Sequence, residues 1–302
     1  MRLLYCKMPD GNFGDDLNKW FWERIIPGLI DNRGDDTLIG IGTMLQTHFT
    51  DALPPHARKY VLGAGAGSKG KLPDFDESWT VYGVRGPLTA SYFDLPADRV
   101  IGDPAIIVSR FDELLSAKPR SGVGFMPHVW SLDDWDWEKT CKRLGLVFVD
   151  PRADSKATIR QISSLDKLLT EAMHGAIVAD SLRVPWVAVA LSPRFEPSKW
   201  CDWAGSLGID LHFRDLPRLV GRDPSRTEIL RSWAKNLALN VGRTVNYLEP
   251  RFSSQRDIAI SERALVKLAQ TAPPQLSTDA RLQSLIGRFM DGVARMRDDV
   301  RI

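Results

Sequence analysis

Short apolar runs recur along the first third of the chain, each closing on glycine or a polar turn and each followed by amphipathic sequence. Leu3–Cys6, Thr37–Gly42, Lys59–Gly63, Trp79–Val84 and Arg99–Gly102 read as strands. Helices are predicted over Leu17–Ile26, with Trp20, Phe21 and Ile25 facing inward, and over Pro87–Phe93. Strands punctuated by helices at this spacing argue for a parallel, doubly wound sheet. After the polar interval Ser116–Ser121 the alternation restarts at Gly122–Met126. It continues through Leu146–Val149, a helix containing Ala176, and the run Trp186–Leu191, which is apolar on both faces as a buried parallel strand is.

The expected fold class is therefore α/β, with two Rossmann-like domains over 1–115 and 121–217 whose parallel sheets face a cleft. A helical C-terminal extension follows over 218–302. In that extension Leu282, Leu285, Ile286, Phe289, Val293 and Met296 form an apolar stripe at helical spacing. Packing back onto the body is its expected use, with a partner or membrane surface as the alternative.

A formal charge of +2 gives no footprint for nucleic-acid binding. The longest apolar runs fall far short of the roughly 18 residues that a membrane span needs. Met1–Cys6 turns polar too quickly for a signal peptide. Cys6, Cys141 and Cys201 are odd in number and widely spaced, which fits neither a disulfide framework nor a zinc site. A cytoplasmic protein with reduced thiols and no metal is expected.

Ligands of open parallel sheets bind beyond the carboxyl ends of the strands, and the polar segments of this chain fall there. In Gly11–Leu17, Gly14 permits close backbone approach and Asn12 supplies donors. Asp15 and Asp16 either cap a helix or accept a proton, and two adjacent carboxylates cannot both cap one turn. Gly63, Gly65 and Gly67 lack the dinucleotide-loop spacing and read as a close-packed turn lining a cleft. Arg85 ends a strand just before a helix, where its planar fork suits a phosphate or carboxylate or else a surface ion pair. His128 ends the first strand of the second domain, placed either to bind a phosphate or to hold its own loop. His174, followed by Gly175, precedes a helix stopped at Pro185, so anions and free backbone N–H groups would meet there; a histidine satisfied by local hydrogen bonds is the plain alternative.

Taken in order, Gly11–Asp16, Val84–Pro87, Gly102–Pro104 and Met173–Gly175 resemble the polysaccharide pyruvyl transferase family, most closely the bacterial exopolysaccharide ketalases of the succinoglycan and xanthan type. The resemblance implies a glycosyltransferase-B-like architecture with the active site between domains. It implies phosphoenolpyruvate as donor substrate, no cofactor, and a lipid-linked oligosaccharide or polysaccharide as acceptor, with phosphate released as a cyclic pyruvate ketal forms. Arg85 and His174 carry over as the family's arginine and histidine. Many members have an arginine two residues before that histidine; here the position is Ala172, which leaves Arg152, Lys156 or His128 to supply a second charge. In the mechanism this implies, His174 protonates the donor's methylene, Arg85 holds its anionic groups, and Asp15 or Asp16 takes a proton from the sugar. Peripheral association with the inner face of the cytoplasmic membrane and homo-oligomerisation are compatible with this reading. Two other classes share the residues: a nucleotide-sugar glycosyltransferase, and a non-catalytic carbohydrate-binding subunit whose tryptophans stack on sugars.

Overall fold

The computed structural model describes residues 1–68, 70–221 and 253–300. The stretch 222–252 of the expected helical extension lies outside the described residues. Two all-parallel sheets are present. The first runs β1–β2–β3–β4, made of Arg2–Leu4, Thr37–Ile39, Lys59–Leu62 and Trp79–Gly83. The second runs β6–β5–β7–β8–β9, made of Val147–Phe148, Val123–Met126, Lys167–Thr170, Trp186–Ala190 and Phe213–Asp215.

The helices are short at first: α1 (Phe13–Asp16), α2 (Phe21–Ile25), α3 (Thr47–Thr50) and α4 (Pro87–Tyr92). In the second half come α5 (Ser131–Asp134), α6 (Trp137–Leu144), α7 (Ser155–Ser163), α8 (Met173–Ser181) and α9 (Pro197–Leu207). Two long helices close the described chain, α10 (Gln255–Thr271) and α11 (Asp279–Val300).

Several expectations need correcting. The single helix over Leu17–Ile26 is instead α1, a 3-10 turn Leu17–Lys19 and α2. Trp20 breaks it with φ −138°, and its indole donates to Ser155 Oγ at 2.8 Å, so the side chain serves the second half of the molecule. Phe21 and Ile25 are buried as expected, together with Trp22. Arg99–Gly102 forms no strand; only Val100 bridges Val84. Preceded by a 3-10 turn at Ala97–Arg99 and ended by Gly102 at φ +84°, this segment has no length left for a ladder. Two strands were not foreseen. Lys167–Thr170 is too short to show a period, although it becomes the central strand β7, and Phe213–Asp215 is a polar edge.

The terminal stripe does pack back. Leu282, Leu285, Ile286, Phe289, Val293 and Met296 are all buried, and they join one core with Phe21, Leu62, Tyr82 and Ile101 of the first half. Phe289 meets Phe21 edge-on at 6.5 Å, and Tyr82 donates to Asp299 at 3.0 Å. The end of the chain thus returns to the sheet that the start of the chain built. No described helix is long and apolar enough to cross a membrane.

Truncating Phe289 tests this docking. Phe289→Ala removes a fully buried ring, so unfolding free energy should fall by about 3–5 kcal/mol, read from urea denaturation. A loss below about 1 kcal/mol would show that α11 is not part of the core.

Candidate active site

Residues that follow the carboxyl ends of strands in both sheets line one cleft of about 220 Å³. From the first half come Cys6 after β1, Asn12 and Asp15 at α1, and Thr43 after β2. From the second come His128 after β5, His174 on α8, and Lys199 on α9. The halves are stitched beside the cleft, where Phe13 N donates to Pro151 O at 2.8 Å. A larger groove of about 900 Å³ beside Trp135 and Ile258 holds none of the candidate residues.

Asn12 settles the capping question. Its Oδ1 accepts from Gly14 N at 3.2 Å, so it caps α1 and neither aspartate does. Its Nδ2 donates to Asp15 Oδ2 at 2.8 Å, which turns that carboxylate into the cleft wall. Burial raises the Asp15 carboxyl above its ordinary range, with His174 and Lys199 pulling the other way. Asp16 lies apart, bound to Lys19 at 2.8 Å.

His174 is the second residue of α8 rather than a residue before it. Its Nε2 is buried without a hydrogen bond and sits 3.7 Å from Asp103 Oδ2, which is also buried and without a hydrogen-bond partner. The other carboxylate oxygen of Asp103 accepts from Ala105 N at 3.0 Å, so the turn after Gly102 holds Asp103 in place. The opposite edge of the imidazole lies on Gly14, where a Cβ would stand 2.2 Å from Nδ1. Only glycine fits beneath this ring.

His128 holds its own loop. Its backbone N–H donates to Glu171 Oε2 at 2.8 Å, its Nδ1 accepts from Trp130 N at 3.4 Å, and its ring tilts over Trp130 at 4.5 Å. Burial, with Lys199 and Arg194 adding to it, pushes its pKa down to about 3, so it carries no charge to offer an anion near neutrality. Glu171, immediately before Ala172, also accepts from Ser131 Oγ at 2.7 Å and Ser192 N at 2.6 Å. It ties the ends of β5, β7 and β8 together.

Arg85 does not line the cleft. It is fully buried behind Thr43, with Nε donating to Asp202 Oδ2 at 2.9 Å, Nη1 to Thr43 Oγ1 at 2.8 Å, and Nη2 to Ala66 O at 3.2 Å. The fork expected to grip an anion is occupied by protein. Gly65 lies under that guanidinium, where a Cβ would be 2.1 Å from Cζ, while Gly63 packs on Pro104 and Gly175 on Thr170 and Met126. These three glycines serve packing beside the cleft.

The other expected sources of charge are also engaged. Arg152 donates to Val129 O and Asp133 Oδ1, each at 2.7 Å, and Lys156 lies over the Trp20 ring at 5.1 Å. Lys199 is a cleft residue that the sequence does not single out. It has no hydrogen bond or ion pair among the described residues, yet it lines the cleft with Asp15 and His174. Its surroundings are charged: burial lowers its pKa and the Arg85 guanidinium adds to this, against the nearby carboxylates of Glu196, Asp15 and Glu171. No local motif marks it, since Ser198-Lys-Trp200 reads as ordinary helix.

The model of the polysaccharide pyruvyl transferase family matches residues 3–193, which contain every candidate except Lys199. The succinoglycan biosynthesis protein ExoV of Rhizobium meliloti (strain 1021) is 34% identical, over 98% of this chain and 99% of that protein. Among solved structures, a protein of uncharacterised function from Klebsiella pneumoniae subsp. pneumoniae NTUH-K2044 is 16% identical with a TM-score of 0.46, covering 70% of this chain and 92% of that one.

The depressed pKa of His128 has a measurable consequence for stability. The unfolded chain takes up a proton at this site below about pH 6.5, whereas the folded protein resists it until about pH 3, so stability falls as the pH drops through that window. His128→Gln removes this linkage. Its urea midpoint should fall less than the parent's between about pH 7.5 and about pH 5. Parallel curves would show that His128 is protonated in the fold.

Proposed function

The chain belongs to the polysaccharide pyruvyl transferase family, and from that premise we propose that it forms a pyruvate ketal on a sugar of an exopolysaccharide repeat unit. The three-carbon group would come from phosphoenolpyruvate and the acceptor would be a lipid-linked oligosaccharide or polysaccharide. The name of its relative from Rhizobium meliloti, a succinoglycan biosynthesis protein, supports an exopolysaccharide substrate. The observation that carries the proposal is one cleft shared by an imidazole and a carboxylate held above its ordinary pKa. Imidazole is the side chain that most readily donates a proton near neutrality, and a raised carboxyl is a better base than an ordinary one.

The chemistry follows from the donor, an enol ester of phosphate. Protonation of its methylene carbon makes C2 an electrophile. In the proposed path His174 gives that proton, and Asp103 orients the ring and stabilises the imidazolium through Nε2. Asp15 takes the proton of the first sugar hydroxyl as its oxygen bonds to C2. The C2–O bond to phosphate breaks, and a second hydroxyl of the same sugar closes the ring. Two hydroxyl protons are lost in all; one is accounted for by the new methyl group and the other by the released phosphate. The N-terminus of α8, whose cap makes no side-chain hydrogen bond, would add a favourable field for the donor's negative charge.

The same reading carries the domain division at 1–115, 121–217 and 218–302 and a glycosyltransferase-B-like arrangement of two Rossmann-like domains. Strand ends that meet across a cleft and a last helix that returns to the first half support it. We also place the enzyme at the inner face of the cytoplasmic membrane, where a lipid-linked acceptor would be met.

His174→Gln is the test. The variant should fold and retain donor binding while pyruvyl transfer drops by about 10²–10⁴-fold. In heavy water the parent should place deuterium in the methyl group of the ketal. A well-folded Gln variant that transfers at the parent rate would reduce His174 to a structural residue. Turnover of a nucleotide sugar in place of phosphoenolpyruvate would replace the reaction altogether.

A further inference from the structure

We propose that Lys199 is the cation that holds the anionic donor, and that Arg85 acts on the donor only through Lys199, by fixing helix α9. The inference rests on the reading of the cleft as the donor site. It assigns the charge that Ala172 leaves missing to a residue outside the matched family segment.

The first observation is that Lys199 lacks a counter-ion although carboxylates surround it. Glu171 already accepts from His128 N, Ser131 Oγ and Ser192 N. Glu196 accepts from Ser68 N at 3.2 Å and Ser68 Oγ at 3.3 Å, and Asp15 from Asn12. None of the three comes within 4.0 Å of the ammonium as an ion pair, so the charge is left for what enters the cleft. A partly buried cation without a fixed partner favours binding of an anion, because the anion restores the interactions that burial removed.

The second observation concerns how Lys199 is placed. It lies three residues before Asp202 on α9, so the two side chains project from neighbouring positions on one helix face. Asp202 is locked from the first half by Arg85 Nε, by Thr89 N at 2.8 Å and by Thr89 Oγ1 at 2.7 Å. Gly86 lets the α9 backbone come close enough for this, since a Cβ there would lie 1.9 Å from Asp202 O. The buried pair therefore sets where Lys199 stands in the cleft, one helical turn away. Lys199 and His174, both from the second half, face Asp15 from the first.

Calorimetric titration with inorganic phosphate, and separately with phosphoenolpyruvate, tests the proposal without requiring transfer. Lys199→Gln should weaken both by about ten- to a hundredfold, the scale of a charge-assisted hydrogen bond. Lys199→Arg should recover most of that loss. Lys199→Met serves in place of the Gln variant if the latter does not fold. Arg85→Lys should also weaken phosphate binding in the Lys199 background, and the same change made in Lys199→Gln should have little further effect. Losses that add would make Arg85 a direct ligand, and an Arg85→Lys protein with parent affinity would remove it from anion binding; either result overturns the positioning role. A parent that binds neither anion, or a Lys199→Gln protein that binds them as the parent does, overturns the assignment of Lys199. Anion binding that depends on Lys199 in a protein showing no pyruvyl transfer would leave this inference standing while the proposed function fell.

Discussion

A buried ion pair, Arg85 with Asp202, joins the end of the first sheet to a helix of the second half across 117 residues of sequence. Removing two charges from water is expensive, and their attraction offsets that cost only when the remaining donors and acceptors are filled. Here they are. Arg85 reaches Thr43 and Ala66 as well as Asp202, and Asp202 accepts from both the backbone and the hydroxyl of Thr89. Loss of either partner would strand the other charge in the interior, which costs about 3–5 kcal/mol in comparable pairs. This contact joins the packing of α8 on Pro104–Arg110 and the Phe13–Pro151 hydrogen bond in fixing the two halves beside the cleft.

Close backbone approach is the second condition. Gly86 next to Arg85 makes room for the backbone of Asp202, and Gly14 makes room for the ring of His174. Each of these glycines stands beside a residue of chemical interest and each is there for space. The pairing of arginine and glycine in Val84–Pro87 thus has a physical explanation that does not involve a ligand. Arginine supplies the ion pair, glycine permits the helix to come near enough to make it, and Pro87 starts α4 with a φ already suited to a helix.

Much of the strand order, though not β7 or β9, was legible because burial on both faces leaves continuous apolar runs, as in Trp186–Ala190, and α11 because it carries its stripe at helical spacing. Asn12, Asp15, His128 and His174 were legible as candidates because strand ends in such sheets converge. What escaped was whatever depends on partners distant in sequence. Nothing near Arg85 reveals Asp202, and nothing near Trp20 reveals the Ser155 hydroxyl that takes its indole N–H out of a helix. Lys199 escaped for the same reason. A lysine on a helix is ordinarily a solvated surface charge, and only the packing of α9 against α4 turns it toward the cleft.

The distribution of charge across the cleft follows from the fold. The first half offers Asp15, whose proton affinity is raised by burial, and the second offers an imidazole and an ammonium. For the proposed transfer, an ammonium and an imidazole on one wall would suit an anionic small molecule, and a basic carboxylate on the other a hydroxyl that must lose its proton. Burial lowers the pKa of Lys199, and an anion bound beside it would raise it again. In the proposed reading, binding of an anionic donor would thus be linked to the proton on Lys199, which stands on the helix that Arg85 and Asp202 fix.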